Sequence, residues 1–127
     1  MISDSNTSQY SVAELKDLVV KILDDNKAED IVAIDLAGKS SIADFMVICS
    51  GRSSRQVSSL AENFSGIISK EGYQTRLNGK ETGDWVIVDG GDFIVHVFRP
   101  EVREFYKLEK IWNTDFSSAD HTLYISG

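Results

Sequence analysis

Cysteine occurs once in this 127-residue sequence, at Cys49, proline once, at Pro100, and histidine twice, at His96 and His121. A single thiol excludes an internal disulfide framework and any zinc site built from several thiolates, and it fits a reducing, cytoplasmic setting. Neither histidine has a second His or Cys at metal-ligand spacing, so no metal or other cofactor is expected. Basic residues are also scarce: 13 Lys and Arg against 20 Asp and Glu leave a formal charge of −7 and a pI near 4.7. A protein that grips bare phosphates usually carries a basic face, so autonomous nucleic-acid binding is disfavoured. Long apolar runs are missing too. No stretch approaches the roughly 20 residues of a membrane helix, and residues 1–9 lack the basic-then-apolar pattern of a secretory leader.

What is present is an ordinary globular composition, 42% hydrophobic and 26% charged, enough for one buried core. After a polar arm at residues 1–10, Ser11 and Glu14 form a capping-box pattern, and Val12, Leu15, Leu18, Val19, Ile22 and Leu23 recur at helical spacing. Residues 31–36 and 45–49 are short apolar runs that read as strands. Ser53 with Gln56 offers a second capping box, and Val57, Leu60, Ala61, Phe64, Ile67 and Ile68 form the stripe of a helix closed by Gly72. Residues 73–77 suit an edge strand. Residues 85–88 and 93–98 flank Asp89-Gly90-Gly91-Asp92, where two glycines can both take positive φ, so an antiparallel hairpin is expected. Pro100 suits the first turn of a last helix, striped by Val102, Phe105, Leu108 and Trp112. The order α, β, β, α, β, β, β, α predicts an α/β domain over residues 11–112, a mixed β-sheet with helices packed on it, and a tail at 113–127.

Most catalytic patterns fail on inspection. Gly38-Lys39-Ser40 resembles the end of a P-loop, but the glycine required five positions earlier is Ala33. Ser50-Gly51 before a helix suits a nucleotidyltransferase turn, yet the chain contains no Asp-x-Asp to hold divalent ions. Gly51-Arg52-Ser53-Ser54-Arg55 lacks the closing glycine of a nucleophile elbow. Period two places Ile94, His96 and Phe98 on one strand face and Phe93, Val95 and Val97 on the other, which makes His96 a packed or hydrogen-bonded sheet residue. Cys49 reads as a buried thiol. What remains is an acidic domain with three candidate anchors, Trp85, Phe98 and Tyr106, of the aromatic types that carry interface energy. Residue physics alone leads to a binding module.

Two blocks carry a resemblance. The first is Asp35-Leu36-Ala37-Gly38-Lys39-Ser40-Ser41-Ile42-Ala43-Asp44-Phe45-Met46-Val47-Ile48-Cys49-Ser50-Gly51, followed by Ser53-Ser54-Arg55. The second comprises Gly83-Asp84-Trp85-Val86-Ile87-Val88-Asp89, Asp92, Val95-His96-Val97-Phe98, Arg103 and Phe105-Tyr106-Lys107-Leu108-Glu109-Lys110-Ile111-Trp112. Together they resemble the ribosomal silencing factor, or Iojap-related, family over about residues 15–112. The resemblance implies a nucleotidyltransferase-like fold without the catalytic carboxylate pair. It also implies a non-enzymatic factor that binds the large ribosomal subunit through ribosomal protein fourteen and blocks joining of the small subunit when nutrients are short.

Carried onto this chain, the resemblance makes Trp85, Phe98 and Tyr106 aromatic anchors for the partner, with Asp84, Glu81 and Arg103 as polar neighbours. Lys39, Ser40, Ser41 and Asp44 match the family's most recognisable loop. At Phe98 related chains often have methionine or another flexible apolar residue. Two alternatives stay open at this point: a nucleotide-binding or nucleotidyltransferase enzyme, suggested by Ser50-Gly51 at a helix start, and a homodimeric adaptor for another protein.

Overall fold

A computed structural model describes residues 10–38 and 41–102. Its elements run α1 (Val12–Asp25), β1 (Glu29–Asp35), β2 (Phe45–Ser50), α2 (Ser54–Ser69), β3 (Arg76–Asn78), β4 (Trp85–Asp89) and β5 (Phe93–Phe98), the expected order. Helix also begins at residues 100–102, where Pro100 was expected to open the last helix. The remainder of that helix and the tail lie outside the described residues.

Local chemistry sets the boundaries. The Ser11 hydroxyl accepts from the Glu14 backbone N–H, and the Glu14 carboxylate accepts from the Ser11 N–H in return, which completes a capping box for α1. At α2 the box is offset by one residue. Ser53 accepts from the Gln56 N–H, but the Gln56 side chain takes the Arg52 N–H at 2.7 Å. The sequence expectation of an edge strand at 73–77 shifts to Arg76–Asn78, because Tyr73 turns into the core, where its ring meets Phe93 edge-on. Both hairpin glycines were expected to take positive φ, and only Gly91 does, at 86°. Gly90 is needed for space: a Cβ there would lie 2.3 Å from the Phe93 ring. Asp89 completes the turn as its side chain accepts from the Gly91 N–H.

The strands form one mixed sheet of order β1-β2-β5-β4-β3. β2 and β5 run parallel at its centre, and the other neighbouring pairs are antiparallel. All six residues of β2 are buried, as befits a central strand covered on both faces. One face carries Phe45, Val47, Cys49, Val86, Val88, Phe93, Val95 and Val97, packed against Leu15, Val19, Ile22 and Leu23 of α1 and Val57, Leu60, Ala61, Phe64 and Ile68 of α2. Cys49 is buried there, as expected. Both described helices lie on this first face. The second face gathers Ile34, Met46, Ile48 and Phe98 with Leu36 and Ala43, flanked by half-buried Val32, Trp85, Ile94 and Val102.

Candidate functional site

The candidate site is built at the end of the β4–β5 hairpin, on the second face. The tight turn fixes the register Trp85↔Phe98 and Ile87↔His96, and period two then places all four side chains on one face. The Trp85 ring stacks on Phe98 with centroids 4.8 Å apart and planes inclined by 23°. His96 lies parallel to the same Phe98 ring at 5.9 Å. The indole Nε1–H of Trp85 donates to His96 Nδ1 at 3.0 Å, so both sides of the pair are held in one orientation. Trp85 itself stays half-buried, whereas Phe98 is fully buried and His96 is only 9% exposed.

Burial alone lowers the His96 pKa from 6.5 to about 4, because the imidazolium would lose its hydration. The ring is therefore neutral at physiological pH, and a neutral ring with an unprotonated Nδ1 is the form able to accept from Trp85. The sequence expectation of a hydrogen-bonded sheet histidine holds.

Beside the aromatic stack, Asp84 accepts the Arg99 N–H through its backbone carbonyl at 3.1 Å, and its carboxylate pairs with Arg99 Nε at 3.0 Å. That ion pair is bent away from hydrogen-bond alignment, and Arg99 also reaches Glu101 at 3.4 Å. The Ser54 hydroxyl, at the start of α2, stands 3.5 Å from the Asp84 carboxylate. Gly83, with φ of 72°, lets this corner close: a Cβ there would stand 2.4 Å from the Ser54 carbonyl oxygen. The start of α2 and the end of the hairpin are thus locked together next to Trp85.

The structure brings Asp84, Trp85 and Phe98 together and leaves Glu81 exposed in the preceding turn. Phe98, expected as an anchor, lies beneath Trp85 and offers no surface of its own. Arg103 and Tyr106 lie outside the described residues, as do Lys39 and Ser40. Ser41 is exposed, and so is Asp44, whose backbone does structural work. The Asp44 N–H donates to the Asp92 carbonyl at 2.8 Å and its carbonyl accepts from Leu36 at 2.9 Å, which ties the family loop to the hairpin turn. Ile42 in that loop is 66% exposed. Sequence reasoning missed Arg99 and Ser54. Arg99 was within reach, since a hairpin that sets Trp85 opposite Phe98 also brings the adjoining Asp84 and Arg99 together.

Five described cations, Lys16, Lys21, Arg52, Lys80 and Arg99, each pair with a carboxylate. Among the described residues no group of three or more His, Cys, Asp or Glu could hold a metal ion, and no helix is long and apolar enough to cross a membrane.

The family model described as ribosomal silencing factor during starvation matches residues 9–124. The chain is 50% identical over 108 residues to the ribosomal silencing factor RsfS of Zymomonas mobilis, covering 84% of this chain and 81% of that protein. It is 32% identical over 100 residues to the mouse protein named mitochondrial assembly of ribosomal large subunit protein 1, covering 76% of this chain and 44% of that longer protein. Its fold is similar to the crystal structure of a Chromobacterium violaceum protein, with a TM-score of 0.79, 34% identity and coverage of 84% and 89%. With two complete helices and five strands among its described residues, and matched by this family model over residues 9–124, the chain belongs to the ribosomal silencing factor family.

Proposed function

We propose that this chain is an anti-association factor of the cytoplasm. It binds the large ribosomal subunit through ribosomal protein fourteen and blocks joining of the small subunit, repressing translation under nutrient limitation. The observation that carries the reading is membership of the ribosomal silencing factor family, and the physics of the chain supports it. A net charge of −7 is suited to a basic ribosomal protein as partner: complementary charge steers encounter, while repulsion from rRNA phosphates limits misplacement. The action is steric. Occupying a surface that the small subunit needs requires affinity and position but no bond making, so the nucleotidyltransferase-like scaffold serves as a platform and not as an enzyme.

In this reading Trp85 is the central anchor, a rigid amphipathic ring already held by its neighbours, and Phe98 is the buried base on which it rests. Asp84, Glu81 and Arg103 supply polar contacts at the rim, with Tyr106 as a second aromatic. The loop of Lys39, Ser40, Ser41 and Asp44 shapes the neighbouring edge. Density-gradient sedimentation tests the function. The purified protein is expected to travel with large subunits and to reduce the yield of joined ribosomes when small subunits are added. A protein that neither travels with large subunits nor changes joining refutes the reading.

A further inference from the structure

His96 is the described residue whose chemistry the steric mechanism leaves unused. It is a buried polar side chain in the centre of an apolar sheet, between Ile48 on β2 and Ile87 on β4. An aliphatic residue would fill such a position at lower desolvation cost. Among the described residues, the one polar contact shown for the imidazole is the acceptor role toward Trp85 Nε1. Trp85, in turn, is half-buried at the sheet end, where its ring stacks on Phe98 and lies beside His96. The hydrogen bond at the indole nitrogen adds a directional contact to that stacking.

We propose that His96 is a positioning residue for partner binding: by accepting the Trp85 indole N–H at 3.0 Å it holds the ring, before any partner arrives, in the one orientation that the docking surface presents. The inference rests on the reading of Trp85 as the anchor and assigns to His96 no contact with the partner. Its energetic logic is preorganisation, since a side chain already ordered in the free protein loses less freedom on binding. Neutrality of the buried ring at physiological pH keeps the acceptor available.

Two substitutions separate acceptor from bulk. His96→Phe keeps an aromatic ring beside Phe98 but removes the acceptor; His96→Asn is smaller but puts an oxygen near the position of Nδ1. In a Trp112→Phe background the indole N–H of Trp85 is read alone by its NMR shift and its hydrogen exchange with water. His96→Phe is expected to move that resonance, speed its exchange, and weaken binding to large subunits by about tenfold, the scale of one lost hydrogen bond. His96→Asn is expected to recover the slow exchange and most of the affinity. An indole signal unchanged in His96→Phe overturns the proposal, and so does a shifted signal with unchanged affinity. Failure of His96→Asn to recover either property, with the fold intact, also overturns it. If the wild-type protein does not bind large subunits at all, the functional reading fails, and the indole exchange alone decides whether His96 orders Trp85.

Discussion

The two faces of the sheet are built from different chemistry. The face under α1 and α2 is mostly valine and phenylalanine, with Phe93 meeting Phe45, Phe64 and Tyr73 at centroid distances of 5.8, 6.0 and 6.2 Å. The second face uses Trp85, His96 and Phe98, aromatic rings that stack like a core, two of which, Trp85 and His96, carry polar ring nitrogens, and it leaves Trp85 and Ile94 half-buried. The first face maximises area removed from water; the second gives some of that up to keep a rigid amphipathic ring at the surface. On the function proposed above, the contrast separates stability from recognition within one five-stranded sheet.

Substitutions on each face should therefore fail differently. Phe93→Ala, at the centre of the helix-covered face, is expected to cost about 3–5 kcal/mol, read as a fall in the urea midpoint without change in slope. Acid should act on the second face. The folded-state pKa of His96 lies below its ordinary value, so the unfolded chain binds this proton more readily, and the contribution of His96 to stability is present in full above pH 6.5. That contribution should be lost as pH falls from 6.5 toward about 4, on the order of 3 kcal/mol in all, and His96→Phe should flatten this part of the stability profile relative to wild type.

At the corner joining the faces, Gly83→Ala combines positive φ with a clash against the Ser54 carbonyl and is expected to cost about 2 kcal/mol in thermal or urea unfolding. The smallest effect is expected for Arg99→Gln. Its pair with Asp84 is partly solvated and bent, so unfolding should change by less than about 1 kcal/mol.

The pattern of elements was legible in the sequence because it rests on local rules: the Ser11 and Glu14 box, the stripe from Val57 to Ile68, and period two through residues 93–98. The face assignment of His96 and Phe98 followed from the same alternation. Tyr73 was misplaced because tertiary packing against Phe93 outweighed its strand preference, a contact that spans twenty residues of chain. The bond from Trp85 to His96 was hidden because it runs diagonally across a hairpin and depends on register as well as spacing. The candidate anchors Trp85, Phe98 and Tyr106 were named by residue type before the family motifs were matched, and the structure divides the two described ones into Trp85, half-buried, and Phe98 beneath it.

The comparison is tested most directly by the affinity of two variants for purified large subunits. Trp85→Ala alters the second face, and Ile67→Ala alters an exposed apolar residue of α2 on the helical side. With both folded, Trp85→Ala is expected to weaken binding by more than about 1 kcal/mol while Ile67→Ala leaves it unchanged. Equal affinities for Trp85→Ala and wild type, or a loss confined to Ile67→Ala, would contradict the assignment of recognition to the Trp85 face.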